Sequence, residues 1–168
     1  MAVNYGLGTE NAGGVTFGTA YSNSPQTITI AAVDQFASLT DLTLAVIGSG
    51  EGSAFDYTHH NINVSSSKII VGTTGQYLIS YSATSSNASG DNLSFQIWKN
   101  GSTDMKITTQ VYSRGGNMYE SGASGIVFLE ENSTLELMVA NTSDDSNINL
   151  DNVNISLVKI IKGGQFDS

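Results

Sequence analysis

The sequence predicts an all-β, antiparallel sandwich, and three observations carry that reading. Apolar and polar residues alternate with a period of two along many short stretches. Turn-forming Gly, Asn, Asp and Ser interrupt those stretches about every ten residues. No segment sustains the spacing of an amphipathic helix. The composition agrees: only 12% of the 168 residues are charged, and Ser, Thr, Asn and Gly supply the polarity. Ser, Thr and Asn compete for backbone hydrogen bonds and Gly loses entropy in a helix, so this mixture suits strands and tight turns.

Residues 1–25 are rich in Gly, Asn, Thr and Ser, with Val15, Phe17 and Tyr21 as isolated apolar side chains. They read as an N-terminal arm with at most a short strand, and residues 163–168 read as a tail beyond the domain at 26–162. Strands are expected from Gln26 to Val33, from Leu39 to Ile47, at Ile62 and Val64, and from Lys68 to Val71. Gln76 to Thr84 gives the clearest alternation, with Tyr77, Ile79, Tyr81 and Ala83 on one face. Leu93 to Lys99 runs into Asn100-Gly101, the strongest short hairpin signal, with Met105 to Tyr112 as the returning strand. Ser121 to Leu129, Thr134 to Ala140 and Val153 to Ile161 complete the set.

A chain of this length buries roughly 70% of its unfolded surface and can hold a core without cross-links, and it has no cysteine. The formal charge is −9, and the six Lys and Arg residues are scattered, which argues against nucleic acid and anionic membranes as partners. No basic region followed by an apolar run opens the chain, so a secretory signal is not expected.

Catalytic chemistry finds little support. No Gly-x-Ser-x-Gly elbow and no phosphate loop is present, and a triad would have to use His59 or His60. Those two His are adjacent and read as part of a loop; on a strand they would point to opposite faces, a poor start for one zinc ion. The chain is therefore expected not to be an enzyme and to need no cofactor, calcium excepted. Asp144, Asp145 and Asp151 lie in or beside a polar loop with Asn147 and Asn149, and hard oxygens of this kind are weak calcium candidates.

Several motifs share an order with one known superfamily. Gly75-Gln76-Tyr77-Leu78-Ile79-Ser80-Tyr81, then Phe95-Gln96-Ile97-Trp98-Lys99-Asn100-Gly101, then Ser121 to Leu129, Leu135-Glu136-Leu137 and Ile155 to Ile160 resemble successive strands of complement globular heads and tumour necrosis factor-like domains. The resemblance spans Ile69 to Ile161. The usual Gly-Asp turn is replaced by Glu131-Asn132-Ser133, and no collagen-like stalk precedes the domain. The resemblance implies a jelly roll of about ten strands that forms a homotrimer, of the kind found in phage head-decoration and fibre proteins, and it carries no shared catalytic residues.

Strands with large residues on both faces point the same way, because a two-layer sandwich buries only one face of each sheet. Tyr77, Tyr81 and Trp98 are accordingly expected to pack the trimer. The functional expectation is a structural virion protein: a capsid decoration, or cement, trimer on the outer surface of a phage head, made in the host cytoplasm. It would bind the major capsid protein, with Val15, Phe17 and Tyr21 docking onto the shell or clasping a neighbour. The alternative is a receptor- or glycan-binding tip of a fibre or surface appendage, with surface glycans gripped by loops such as Asn87 to Asn92 or Arg114 to Tyr119.

Overall fold

The computed structural model describes residues 17–40, 43–44, 59–60, 62–86, 90–102, 105, 107–112 and 118–160. Among them every regular element is a strand: β1 Phe17–Ser22, β2 Gln26–Ile28, β3 Ala37–Ser38, β4 Thr43–Leu44, β5 His59–His60, β6 Ile62–Ser65, β7 Lys68–Val71, β8 Gly75–Ser85, β9 Asn92–Lys99, β10 Thr108–Tyr112, β11 Tyr119–Leu129, β12 Thr134–Asn141 and β13 Ile148–Ile160. All pairings are antiparallel.

Two sheets face each other. The first runs β11-β8-β13-β1-β4, with β2 also on β13 and β5 also on β1. The second runs β10-β9-β12-β7-β6, with β3 also on β12. The inward phase of each long strand supplies the core: Tyr77, Ile79, Tyr81 and Ala83 from β8; Leu93, Phe95 and Ile97 from β9; Leu135, Leu137 and Val139 from β12; Val153, Ile155 and Leu157 from β13. Alternation therefore does its expected work, since one face of each sheet is removed from water.

The Asn-Gly hairpin forms as the sequence predicts. Asn100 and Gly101 take φ of 51° and 75°, the left-handed region that a two-residue primed turn requires. Lys99 and Ser102 exchange both backbone hydrogen bonds at 3.0 and 2.9 Å. The Asn100 Oδ1 also accepts the Thr134 N–H at 2.8 Å, which ties the hairpin to the start of β12.

Some boundaries differ from expectation. The strand expected over Gln26 to Val33 ends at Ile28, because the Ile30 N–H turns to the side-chain oxygen of Asn147 at 3.2 Å instead of a neighbouring strand. The segment from Leu39 to Ile47 contributes the short β4 within its described part, preceded by β3 at Ala37–Ser38. His59 and His60, read from sequence as loop, form β5 opposite Phe17 and Gly18. The last strand starts earlier than Val153: β13 begins at Ile148 and passes a register shift between Leu150 and Asn152.

Candidate functional site

β8 is the key to the outer surface, because it lies between β11 and β13, in continuous register with β11 throughout and with β13 from Asn152 to Ile160. Its outward side chains make rows with theirs. Phe128, Gln76 and Ile160 form one row, and Ile126, Leu78 and Val158 the next. Ser124, Ser80 and Ser156 follow, joined by Thr19 of β1, whose Oγ1 lies 3.0 Å from the Ser156 hydroxyl. Gly122, Ser82 and Asn154, then Glu120, Thr84 and Asn152, complete the face.

The first two rows are an apolar strip in contact with water. Ile126 is 63% exposed, Phe128 55%, Val158 48%, Leu78 44% and Ile160 40%. Isolated exposed apolar residues are ordinary, but a contiguous group marks an interaction surface. Glu120 is the one charge across all five rows, on a chain of net charge −9.

The residues expected to pack a trimer lie elsewhere. Tyr77 is fully buried and Tyr81 is 4% exposed, both inside the sandwich. The reason is phase: the aromatic set of β8 belongs to the inward face, and Leu78 belongs to the outward one. The two phenols find partners indoors. The Tyr77 hydroxyl donates to the Thr73 carbonyl at 2.6 Å, and that of Tyr81 approaches the Phe95 carbonyl at 3.4 Å. Burial pushes the Tyr81 phenol above its ordinary value, partly offset by a hydrogen bond with Thr109. Trp98 sits half-buried on the outer face of the other sheet, against Phe36 with ring centroids 5.7 Å apart. The residues that do form the strip had a signal in the sequence. Ile126-Val127-Phe128 and Val158-Lys159-Ile160 place large apolar residues in the phase opposite to the core set.

Of the residues assigned to shell docking, Val15 lies outside the described residues. Phe17 and Tyr21 are in β1, opposite Val158 and Asn154 of β13, so this part of the arm is a sheet strand.

The three aspartates are not brought together. Among the described residues no group of three His, Cys, Asp or Glu side chains could hold a metal ion. Asp144 is committed to its own loop. One of its oxygens accepts the Asn141 amide at 2.8 Å, the Ser146 N–H at 2.8 Å and the Ser146 hydroxyl at 2.6 Å. The Ser146 bonds hold its carboxyl below the usual aspartate value. Asp151 lies at the register shift in β13, where its Oδ2 is buried with no hydrogen-bond partner.

No protein-family model and no curated protein matches the sequence. Solved structures do match the fold. The Eiger tumour necrosis factor of S. frugiperda superposes with a TM-score of 0.59 at 16% identity, covering 91% of this chain and 98% of that one. The globular domain of zebrafish complement 1qA gives 0.53 at 8% identity, over 88% and 99% of the two chains. Murine APRIL gives 0.51 at 9% identity, over 86% and 99%. At these identities the likeness is one of fold, and it agrees with the strand motifs quoted above. The chain is a jelly roll of the architecture shared by tumour necrosis factors and complement globular heads.

Proposed function

We propose that the chain is a non-enzymatic assembly module that forms a homotrimer through the outer face of β11, β8 and β13, and that it decorates the outside of a phage capsid. The apolar strip of Leu78, Ile126, Phe128, Val158 and Ile160 is the observation that carries the assembly reading. Removing each exposed portion from water is worth on the order of 1 kcal/mol per side chain. The strip also lies on a face with a single charge. Two copies of a chain with net charge −9 repel one another, and a nearly neutral face is where that repulsion costs least. The homotrimer implied by the strand motifs supplies the stoichiometry.

The capsid part of the reading is supported by the acidic, lysine-poor composition, which would keep virions soluble, and by the phage head-decoration and fibre proteins that the resemblance includes. Bound trimers would stabilise a shell by occupying sites that exist only once it has assembled. In this reading, contacts to the major capsid protein come from the arm before Phe17.

Light scattering on the purified protein tests the assembly. A trimer is expected for the parent chain, and the double variant Ile126→Ser, Phe128→Ser is expected to run as a folded monomer. A monomeric parent overturns the reading. Co-sedimentation with purified heads tests the decoration. Deleting the residues before Phe17 is expected to abolish binding and leave the trimer intact, whereas absence of the protein from purified particles sinks the capsid role.

A further inference from the structure

The outer face of the second sheet differs in kind from the apolar strip. On β10 the outward residues are Thr108, Gln110 and Tyr112; on β9 they are Asn92, Ser94, Gln96 and Trp98. The register sets Tyr112 opposite Asn92, Gln110 opposite Ser94 and Thr108 opposite Gln96. Two aromatic rings thus bound a set of neutral amides and hydroxyls, of which Ser94 is buried; neither strand's outward phase carries a charge, and the carboxylate next in register is the buried Glu136 of β12, opposite Trp98.

We infer that this β9–β10 face binds a neutral oligosaccharide. A sugar ring has an apolar C–H face that lies well on an aromatic ring and a rim of hydroxyls that amide side chains can hydrogen-bond, donating and accepting. Tyr112 is 52% exposed, and Thr108, Gln110 and Asn92 are exposed beside it. Trp98 is held in place: its Nε1–H donates to Gln96 Oε1 at 3.1 Å, and Phe36 packs against its ring. Asn92 is anchored as well, with Nδ2 donating to the Ser143 hydroxyl at 2.9 Å. Groups fixed before binding lose less freedom on binding.

The chemistry of the face selects among occupants. A protein surface would dry the amides and leave any without a partner at a cost. An anionic polymer would meet a chain of charge −9. Lys68, beside this face, is already 2.8 Å from Glu136, and the Lys99 ammonium donates to the Phe128 carbonyl at 3.4 Å. From the row of Asn92 to that of Trp98 is six residues, about 20 Å at ~3.3 Å per residue, so the ligand is a chain of several rings and not a single sugar. The inference does not depend on the trimer.

Trp98 is the only tryptophan, so its emission reports on this face. The test titrates the full chain with neutral gluco-, manno-, galacto- and N-acetylglucosamine oligomers of increasing length, with calorimetry in parallel. A saturable change in emission is expected for at least one series, tightening as rings are added. Tyr112→Ala and Gln110→Ala should each weaken binding on the order of tenfold, with circular dichroism and mass unchanged. Ser82→Ala, on the outer face of the other sheet, should leave affinity unaltered. The inference is overturned if no series gives saturable binding, if neither face variant weakens it, or if only charged glycans bind. A monomer that binds sugar would overturn the assembly reading alone, and a trimer that binds none would overturn this one alone.

Discussion

Asn141→Ala should destabilise the fold by about 3 kcal/mol, and the structure says where each part of that cost arises. Asn141 ends β12 and is fully buried. Its Nδ2 donates to Asp144 Oδ1 at 2.8 Å and to the Ser146 hydroxyl at 3.0 Å, and its Oδ1 accepts the Ser143 N–H at 3.0 Å. Two further contacts, to the Ser146 carbonyl at 3.5 Å and from the Asp144 N–H at 3.4 Å, are long and add little. Three good bonds at about 1 kcal/mol net each give the estimate. It stays near the low end because Ser143 and Asp144 are exposed and can rehydrate once released. For a domain of this size, 3 kcal/mol corresponds to a drop of roughly 6–12 °C in Tm. Asn141→Asp should be worse at neutral pH, because it replaces the donor with a second carboxylate facing Asp144 in a buried position. Denaturant unfolding at one fixed protomer concentration measures both variants. If Ala costs less than about 1 kcal/mol, or if Asp matches the parent at pH 7, the side chain is not the clasp described here.

Gly122→Ala should be costly, about 1–3 kcal/mol, because a Cβ there would lie 2.8 Å from the Tyr81 carbonyl oxygen on the paired strand; Gly75→Ala should be mild, because the atoms in its way belong to the flexible end of Lys159, and thermal melts of the pair decide the contrast. Asp144 has a folded pKa below its ordinary 3.8, so its stabilising contribution is present in full above that value and is lost as pH falls through the folded pKa; Asp144→Asn should therefore flatten the acid limb of a stability–pH curve below about pH 4. Tyr81 has a folded pKa above its ordinary 10.0, so its contribution is complete below pH 10 and lost as pH rises further; Tyr81→Phe should soften alkaline unfolding, and ultraviolet titration of the parent should show one tyrosine ionising late.

The long strands were legible because each has a core phase that is nearly all apolar, as in Tyr77-Ile79-Tyr81-Ala83 or Leu135-Leu137-Val139. The short ones were not. β2 stops where an Asn147 side chain takes the next backbone donor, and β5 exists through its pairing with β1, about forty residues away in sequence. The interaction surface was half legible. That β11 and β13 carry large apolar residues in both phases can be read, but choosing which phase faces water requires knowing what covers each side. Tyr77 and Tyr81 are large residues on a strand whose two phases both carry bulk, and the carbonyl partners that let them go inside lie at Thr73 and on β9. The aspartate loop shows the same dependence on local partners, because Asp144 Oδ1 serves neighbouring donors that the spacing of the carboxylates does not reveal.

The place of β13 between β8 and β1 has a consequence for how the chain is made. β8 and β11 can pair as soon as residue 129 has been synthesised, and β12 can add to β9 a little later. β1 must wait. Its long pairing is with β13, and Thr19 meets Ser156 across 137 residues of sequence. A nascent chain still short of residue 148 therefore holds its first sheet as two separated halves, with the inward faces of β1 and β8 open. Closure across such distances is slow and leaves unpaired edges exposed in the meantime. The final strand thus acts as the keystone of the first sheet, and chains interrupted before it should be the ones that proteases and chaperones find.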